Sequence, residues 1–257
     1  MKLFRRQARR LSLTPEGAVL QRAVAETLDR LTEVCAGLKA PQRRPRVNLS
    51  AAVGIASLWL VPRLDAFQEI EPDVDVRLSA DNRMVDLERE DIDLALRYIH
   101  PDAAPPDACL LFEEIVFPVA APKLAARLPA VLKAEDLARL TLLAYDDGRK
   151  APWLTWEPWL IGLGLAQARP KAVLAFNQYD QLIRAAVDGR GIALGRGPLV
   201  AQLIAEKKLR PLGQSRQRVA TRAYFLVRAP KPARREVERF ADWLLAEAKK
   251  TEREANA

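Results

Sequence analysis

Residues 46–80 read RVNLSAAVGIASLWLVPRLDAFQEIEPDVDVRLSA, and this stretch decides the fold class. The segment RVNLSAAV is typical of a strand, and SLWLVPRLDAFQEI has the apolar spacing of an amphipathic helix. The segment DVDVRLSA alternates apolar and polar residues, as a half-buried strand does. A strand, a helix and a second strand in this order are the repeating unit of a parallel sheet, so the stretch predicts an α/β fold.

The alternation of strands and helices continues to the end of the chain. Strands are predicted from the segments IDLALRY, ACLLFEEIVFPVA, TLLAYD, KAVLAFN, IALG and RAYFLVRA. Helices are predicted from MVDLERE, KLAARLPAVLKAEDLARL, WLTWEPWLIGLGL, DQLIRAAVDGRG, PLVAQLIAEKKL and REVERFADWLLAEAKK. Such alternation indicates largely parallel sheets covered by helices on both faces.

The predicted strands are too many for one small sheet, which indicates two α/β subdomains. The long strand through Phe117 leaves the first subdomain, and RAYFLVRA returns to it. The two crossings form a hinge with a cleft beside it, where open α/β sheets bind ligands. We expect subdomain I to comprise residues 47–118 and 222–257, and subdomain II residues 119–221.

The front of the chain carries nearly all of its excess charge. Residues 1–46 hold eleven basic and four acidic side chains, a balance of +7 within a net charge of +8. This asymmetry indicates an anionic partner at that end. A solvated basic tail explains the charge equally well on composition alone.

A long helix follows the basic arm. Thr14 has the character of an N-cap and Pro15 that of a first helical residue. Apolar or β-branched residues then recur at spacings of four and three, at Leu20, Val24, Thr27, Leu31, Val34 and Leu38. A helix of about 25 residues has no core of its own, so this seam requires a partner, either a second copy of the chain or the neighbouring domain. We favour a homodimer, with a polar hinge over residues 41–46.

Composition limits the compartment and the chemistry. With 49% apolar and 29% charged residues among 257, the chain has the balance of a globular protein, without a membrane span or secretory signal. Cys35 and Cys109 lie far apart and indicate reduced thiols in the cytoplasm. The single histidine, His100, has no nucleophile placed beside it, and Asp91 and Asp93 lack a third metal ligand. No dinucleotide fingerprint is present, so we expect no enzyme, no metal and no cofactor.

The order of these features resembles the LysR-type transcriptional regulators over essentially the whole chain. The matching pieces are LFRRQARRLSLTPEG, WLVPRLDAFQEIEPDVDVRLS, IDLALRY, FPVAAPKL and VDGRGIALGRGPLV. The resemblance implies a cytoplasmic protein with a winged helix-turn-helix, a dimerising linker helix and two α/β subdomains of the periplasmic-binding-protein type around a small effector. Residues 1–14 correspond to the wing and 15–40 to the linker helix.

The resemblance also implies that the recognition helix precedes the first residue of this sequence. Either a misplaced start codon or a true truncation explains its absence. Arg5, Arg6, Arg9 and Arg10 are the expected phosphate contacts. Phosphate contacts position a protein without reading the sequence, so we expect promoter DNA as a partner but no specific binding by this stretch alone.

In such folds, effector contacts come from polar residues at strand ends and helix N-termini. The candidates are Ser57, Ser79, Arg97, Tyr145, Phe176, Asn177 and Gln178. Ser57, Asn177 and Gln178 are also explained as helix caps, and Arg97 as the partner of a nearby acid. Turn geometry alone explains Gly191 and Gly195. Trp153, Trp156 and Trp159 lie on one side of a helix, where packing against a sheet is the favoured role.

The expected effector is a small carboxylate or an amino-acid-like compound, and the expected assembly is a homodimer or homotetramer. A stand-alone solute-binding module is the alternative interpretation. Such a module shares the two-lobed clamp but has no affinity for DNA.

Overall fold

A computed structural model describes residues 2–7, 10–39, 44–129, 132–146, 148, 154–213 and 216–256. Within these ranges, the side chains of residues 6, 7, 10, 11, 30, 33–39 and 254–256 lie outside the description. The chain divides into two compact units, Met1–Arg44 and Pro45–Ala257.

The first unit is a hairpin followed by one long helix. Strands β1 (Phe4–Gln7) and β2 (Arg10–Leu13) pair antiparallel, and helix α1 spans Pro15–Lys39. The Thr14 hydroxyl accepts a hydrogen bond from the Gly17 amide at 3.0 Å and donates to the Lys2 carbonyl at 2.9 Å. The predicted N-cap is therefore confirmed, and the same hydroxyl ties the helix to the start of the hairpin.

Side chains of the predicted seam lie exposed on α1 within this chain. Leu20, Val24 and Leu31 are all exposed, and so is Thr27. The side chains of Val34 and Leu38 lie outside the description. A row of exposed apolar side chains on a helix with no core of its own is the pattern that a partner helix covers.

The second unit contains nine strands. Their bounds are β3 Arg46–Ala51, β4 Asp75–Ala80, β5 Leu94–Ile99, β6 Cys109–Ala120, β7 Thr141–Tyr145, β8 Ala172–Phe176, β9 Ile192–Arg196, β10 Arg210–Pro211 and β11 Gln217–Arg228. They hydrogen-bond in the order β4-β3-β5-β11-β6-β9-β7-β8, and β10 pairs with β6. The short strand β10 has no counterpart in the sequence prediction.

Two parallel groups of strands are joined by two long antiparallel strands. Strand β3 is parallel to β4 and β5, and β7 is parallel to β8 and β9. The twelve-residue strands β6 and β11 pair antiparallel with each other, and they link β9 to β5. This arrangement confirms the predicted α/β fold of two parallel sheets connected by two strands, with antiparallel pairing where the strands cross.

The helices pack around this sheet. Their bounds are α2 Val53–Ile55, α3 Leu64–Ile70, α4 Pro122–Ala125, α5 Ala134–Leu137, α6 Trp156–Gly162, α7 Tyr179–Val187, α8 Gly197–Ala205 and α9 Arg235–Asn256. A π-helical turn (Ala56–Leu60) and a 3-10 turn (Val61–Arg63) connect α2 to α3. Pro62 has no amide hydrogen to donate, which accounts for the change of helix type there. No helix among the described residues is both long enough and apolar enough to span a membrane.

The main core lies between the sheet and the helices on one face. Phe67 of α3 packs edge-on against Phe240 of α9, with ring centroids 4.6 Å apart. Trp159 is buried in the same core and Trp156 packs against it, which confirms the packing role predicted for these two residues. Trp153 lies outside the described residues.

Three local predictions were wrong. Residues 84–90 do not form the predicted helix: residues 87–90 make turns, and the Asp86 carboxylate accepts the amides of Glu88 and Arg89. The predicted helix after Pro122 divides into α4 and α5. Close contacts with neighbouring strands, not turn geometry, explain Gly191 and Gly195. A methyl group at Gly191 would collide with the Thr141 carbonyl, and one at Gly195 would lie 2.8 Å from Val119.

Candidate functional site

A cavity of about 380 Å³ opens where the two parallel groups of strands end. It is lined by residues at the carboxyl ends of β5, β7 and β9, by the segment after β4 and by the first turns of α2 and α7. The carboxyl ends of parallel strands and the N-termini of helices present unpaired main-chain groups, which is why α/β proteins bind ligands at such places. The volume suits a small metabolite.

All four tyrosines of the chain line this cavity: Tyr98, Tyr145, Tyr179 and Tyr224. The rings of Tyr98 and Tyr224 lie 4.8 Å apart on the adjacent strands β5 and β11. Tyr145 meets Tyr179 edge-on at 6.0 Å. Four amphipathic rings give the cavity apolar walls that also carry hydroxyl groups.

A buried ion pair forms part of the wall. The guanidinium of Arg196, at the end of β9, donates from Nε and Nη2 to the two carboxylate oxygens of Glu114 on β6, at 2.8 and 2.6 Å. The same guanidinium lies 4.2 Å from the centre of the Tyr98 ring. Burial works against the charge of Arg196, but the Glu114 carboxylate outweighs it and raises the pKa of this arginine. The pair is therefore charged and electrically balanced.

Tyr179 connects this pair to the main chain. Its hydroxyl donates to the Leu194 carbonyl at 3.0 Å and accepts from the Arg196 amide at 2.7 Å. Burial raises the pKa of Tyr179 above its ordinary value, and it does the same for Tyr98 and Tyr224. These tyrosines therefore present neutral hydroxyl groups at neutral pH.

Arg97 is the second buried arginine of the lining, and its surroundings differ from those of Arg196. Its Nη1 donates to the Ser50 hydroxyl at 3.2 Å, while Nη2 has no hydrogen-bond partner among the described residues. Burial lowers the pKa of Arg97, although the more distant charge of Glu90 opposes this effect. The guanidinium is thus a buried cation with an unused donor group.

An asparagine bridges two sides of the cavity. The Asn82 side-chain oxygen accepts from the Val53 amide at 3.0 Å, which caps the start of α2. Its amide nitrogen donates to the Gln178 side-chain oxygen at 3.1 Å, next to the start of α7. The two helix N-termini are therefore connected through the segment that follows β4.

Of the effector candidates predicted from the sequence, Arg97 and Tyr145 line the cavity, and Gln178 contacts the lining residue Asn82. Ser57, Ser79, Phe176 and Asn177 are not among its lining residues. The expectation that Ser57 begins its helix was wrong, because α2 already begins at Val53 and leaves Ser57 exposed within the π-helical turn. Gln178 precedes α7 as predicted, but its side chain does not cap the helix.

Sequence reasoning missed several lining residues, above all Asn82, Tyr179, Arg196 and Tyr224. A usable signal existed for the tyrosines, since each lies within or next to a predicted strand. The remaining polar candidates have structural partners. The buried carboxylate of Asp93 pairs with Lys231 at 2.9 Å and Arg234 at 2.8 Å, and His100 is exposed. Within the described residues, no group of three metal-ligating side chains occurs.

The predicted DNA contacts belong to the hairpin of the first unit. Arg5 is exposed on β1 and pairs in register with Ser12. Arg6 and Arg10 belong to β1 and β2, with side chains outside the description, and Arg9 lies outside the described residues altogether.

The chain is similar to known proteins along most of its length. The family described as LysR substrate binding domain matches residues 40–249. The glycine cleavage system transcriptional activator of Escherichia coli (strain K12) is 30% identical over 250 residues, which are 96% of this chain and 80% of that protein. The HTH-type transcriptional regulator PerR of the same strain is 32% identical over 228 residues, which are 88% of this chain and 74% of PerR.

Solved structures agree with these relatives. The effector domain of the transcriptional regulator AmpR of Pseudomonas aeruginosa is 28% identical, with a TM-score of 0.61, and covers 82% of this chain and 98% of that domain. CrgA, a LysR-type transcriptional regulator from Neisseria meningitidis, is 25% identical, with a TM-score of 0.56, and covers 96% of this chain and 84% of CrgA.

Proposed function

Because this chain belongs to the LysR family of transcriptional regulators, we propose that it controls promoters in response to a small anionic metabolite bound in the tyrosine-lined cavity. The observation that carries the proposal is Arg97, a buried cation of the cavity wall with an unused donor. A buried charge without an acidic partner is costly, and an anionic ligand would compensate it.

The charges of the lining support an anionic ligand. Four arginines line the cavity, Arg83, Arg97, Arg196 and Arg222, against a single acidic residue, Asp81. Asp81 is paired with Arg83, and the charge of Arg196 is neutralised by Glu114 on β6. Arg97 forms no ion pair among the described residues, so its positive charge is the one in the wall that supports binding of an anion.

The subdomain boundaries at residues 118 and 222 belong to the same proposal. They are supported by β6 and β11, the two strands that connect the parallel groups. Ligand binding between two lobes that are joined by two crossing strands would favour one relative arrangement of the lobes. Such a preference is how an effector alters a regulator without touching DNA.

We assign oligomerisation to α1. Exposed Leu20, Val24 and Leu31 support a helix-to-helix contact with a second copy of the chain, extended by Val34 and Leu38. We further propose that Arg5, Arg6, Arg9 and Arg10 contact phosphates of promoter DNA and that the protein acts in the cytoplasm, where the chromosome lies.

The experiment uses the gene in its own cell. A tagged gene product is recovered with cross-linked chromatin, and transcripts are compared between the parent strain and a deletion strain. We expect a small set of promoters to be enriched and the adjacent transcripts to change in the deletion strain. An untagged strain is the control. Absence of enriched promoters, or unchanged transcripts beside them, would show that the protein is a solute-binding module or has another role.

A further inference from the structure

The two ends of the sheet meet beside the cavity. In the strand order, β4 and β8 are the outermost strands, on opposite sides of the crossing strands β6 and β11. The side chain of Asn82, two residues after β4, nevertheless donates a hydrogen bond to the side chain of Gln178, two residues after β8, at 3.1 Å. The sheet therefore curls around the cavity, with the crossing strands on one side and this hydrogen bond on the other.

Asn82 is fixed to the first parallel group, formed by β3, β4 and β5. The amide of the preceding Asp81 donates to the Ala51 carbonyl at the end of β3, at 2.9 Å. The side-chain oxygen of Asn82 accepts from the Val53 amide at the start of α2, at 3.0 Å. Because both bonds lie on the side of the first group, Asn82 moves with that group.

Gln178 belongs to the second parallel group, formed by β7, β8 and β9. It lies between β8 and α7, and its half-buried side chain makes no capping bond to that helix. Its side-chain oxygen instead accepts from Asn82 across the cavity. A substitution of Gln178 should therefore remove the connection between the groups without disturbing the start of α7.

The helices of the two groups also touch next to this bond. A methyl group at Gly54 of α2 would lie 3.4 Å from the ring of Tyr179, the first residue of α7. The Tyr179 hydroxyl is held by the Leu194 carbonyl and the Arg196 amide, so its ring is fixed to the second group. Gly54 and Tyr179 both line the cavity. The structure therefore shows the two groups in contact, and we call this the closed arrangement.

We infer that Asn82 and Gln178 form a latch that holds the closed arrangement, and that a molecule reaches the inner wall of the cavity when this bond opens. The inference rests on the proposed function, because it describes how access to the same cavity is controlled. One hydrogen bond between neutral side chains changes an equilibrium by about two- to tenfold. A latch of this strength favours the closed arrangement without ligand and still opens reversibly.

The experiment measures how fast a thiol on the inner wall reacts. Ile55 lines the cavity and is 1% exposed, so Ile55→Cys places a reporter thiol that the closed arrangement protects. The full chain is used, with Cys35→Ser and Cys109→Ser, and the uncharged reagent N-ethylmaleimide is followed by mass spectrometry. When opening and closing are faster than the reaction, the rate is proportional to the population of the open form.

Gln178→Ala should raise the rate at this reporter by about two- to tenfold. Gln178→Glu keeps an oxygen that accepts from Asn82, so its rate should stay close to that of the parent. Asn177→Ala, at the exposed neighbouring residue, is the matched control and should react like the parent. Asn82→Ala removes the latch from the other side, so it should raise the rate at least as much as Gln178→Ala and serves as the second variant.

A second reporter separates opening of the latch from unfolding. Leu60 is completely buried in the main core and does not line the cavity. The rate at Leu60→Cys should therefore be the same with and without Gln178→Ala.

Four outcomes would overturn the inference. They are an unchanged rate at the Ile55→Cys reporter in Gln178→Ala, an equal increase in Asn177→Ala, an equal increase in Gln178→Glu, and equal acceleration of both reporters by Gln178→Ala. The measurement uses neither an effector nor DNA. Failure of the latch is therefore distinguishable from failure of the proposed function, which the promoter-enrichment experiment tests.

Discussion

Replacing Glu114 by Gln tests how the wall of the cavity is held together. Glu114 and Glu113 are neighbours on β6, and each pairs with an arginine. Glu114 is completely buried, and the side chain of its partner Arg196 is 10% exposed. The side chains of Glu113 and its partner Arg218 are 45% and 68% exposed. The two substitutions therefore remove the same charge from a buried pair and from an exposed pair.

The expected losses differ several-fold. Glu114→Gln leaves the Arg196 guanidinium buried among tyrosine rings without its counterion, and breaking a buried pair in this way costs about 3 to 5 kcal/mol of unfolding free energy. Glu113→Gln leaves Arg218 free to be hydrated, so its expected cost is about 0 to 1 kcal/mol. Replacing both members, as Glu114→Leu with Arg196→Met, should recover much of the first loss because no charge remains buried.

The assay is urea unfolding at neutral pH, followed by circular dichroism. An unchanged slope with a shifted midpoint shows that stability alone has changed. If Glu114→Gln and Glu113→Gln lowered the stability equally, the claim that the cavity wall depends on a desolvated ion pair would be wrong. A double variant that is less stable than Glu114→Gln would refute the assigned cause, the uncompensated charge.

Tyr179→Phe should lower the unfolding free energy by about 1 kcal/mol in the same assay, and Tyr224→Phe should lower it far less, because only the Tyr179 hydroxyl bonds the protein. Above about pH 10, tyrosines of the unfolded chain ionise, whereas Tyr98, Tyr179 and Tyr224 stay protonated in the folded protein because their pKa values are raised. The unfolding free energy should therefore fall with rising pH, by about 1.4 kcal/mol per pH unit for each residue. The melting temperature measured against pH tests this. A pH-independent melting temperature there would contradict the burial of these hydroxyls. Leu31→Glu should yield monomers in light scattering. Val19→Glu should not, because Val19 is exposed on α1 but does not belong to the predicted seam.

Local signals were sufficient for most elements of the fold. The cap at Thr14 and the order of strands and helices follow from side-chain chemistry within a few residues, and the structure confirms them. The start of the helix near Ser57 was misplaced because Ala52 precedes it without a side-chain cap, so no residue signals its first turn. The division of the helix after Pro122 shows the same limit.

The composition of the cavity could be predicted only in part, because long-range pairing assembles it. Arg97 and Tyr145 were found at the ends of predicted strands. Tyr224 reaches the same cavity because β11 pairs antiparallel with β5, which places it opposite Tyr98, more than one hundred residues earlier. The alternation of residues within RAYFLVRA does not reveal that Tyr224 pairs with Tyr98. Arg196 was overlooked for a related reason, since its partner Glu114 lies on a strand that joins β9 from elsewhere in the chain.

The two buried arginines of the cavity have different roles. Arg196 stabilises the cavity wall, whereas Arg97 is available to bind a ligand. Arg196 has a counterion and Tyr179 has two main-chain bonds, so these groups hold their positions whether or not a ligand is present. Arg97 is held by packing and by the Ser50 hydroxyl, and its Nη2 has no hydrogen-bond partner among the described residues. Arg97 belongs to β5, which pairs with the crossing strand β11, so a ligand that binds Arg97 would contact a parallel strand beside one of the two strands that cross between the groups. Ligand affinity would then depend on the relative position of those strands, and that dependence is the physical requirement for an effector to shift a conformational equilibrium.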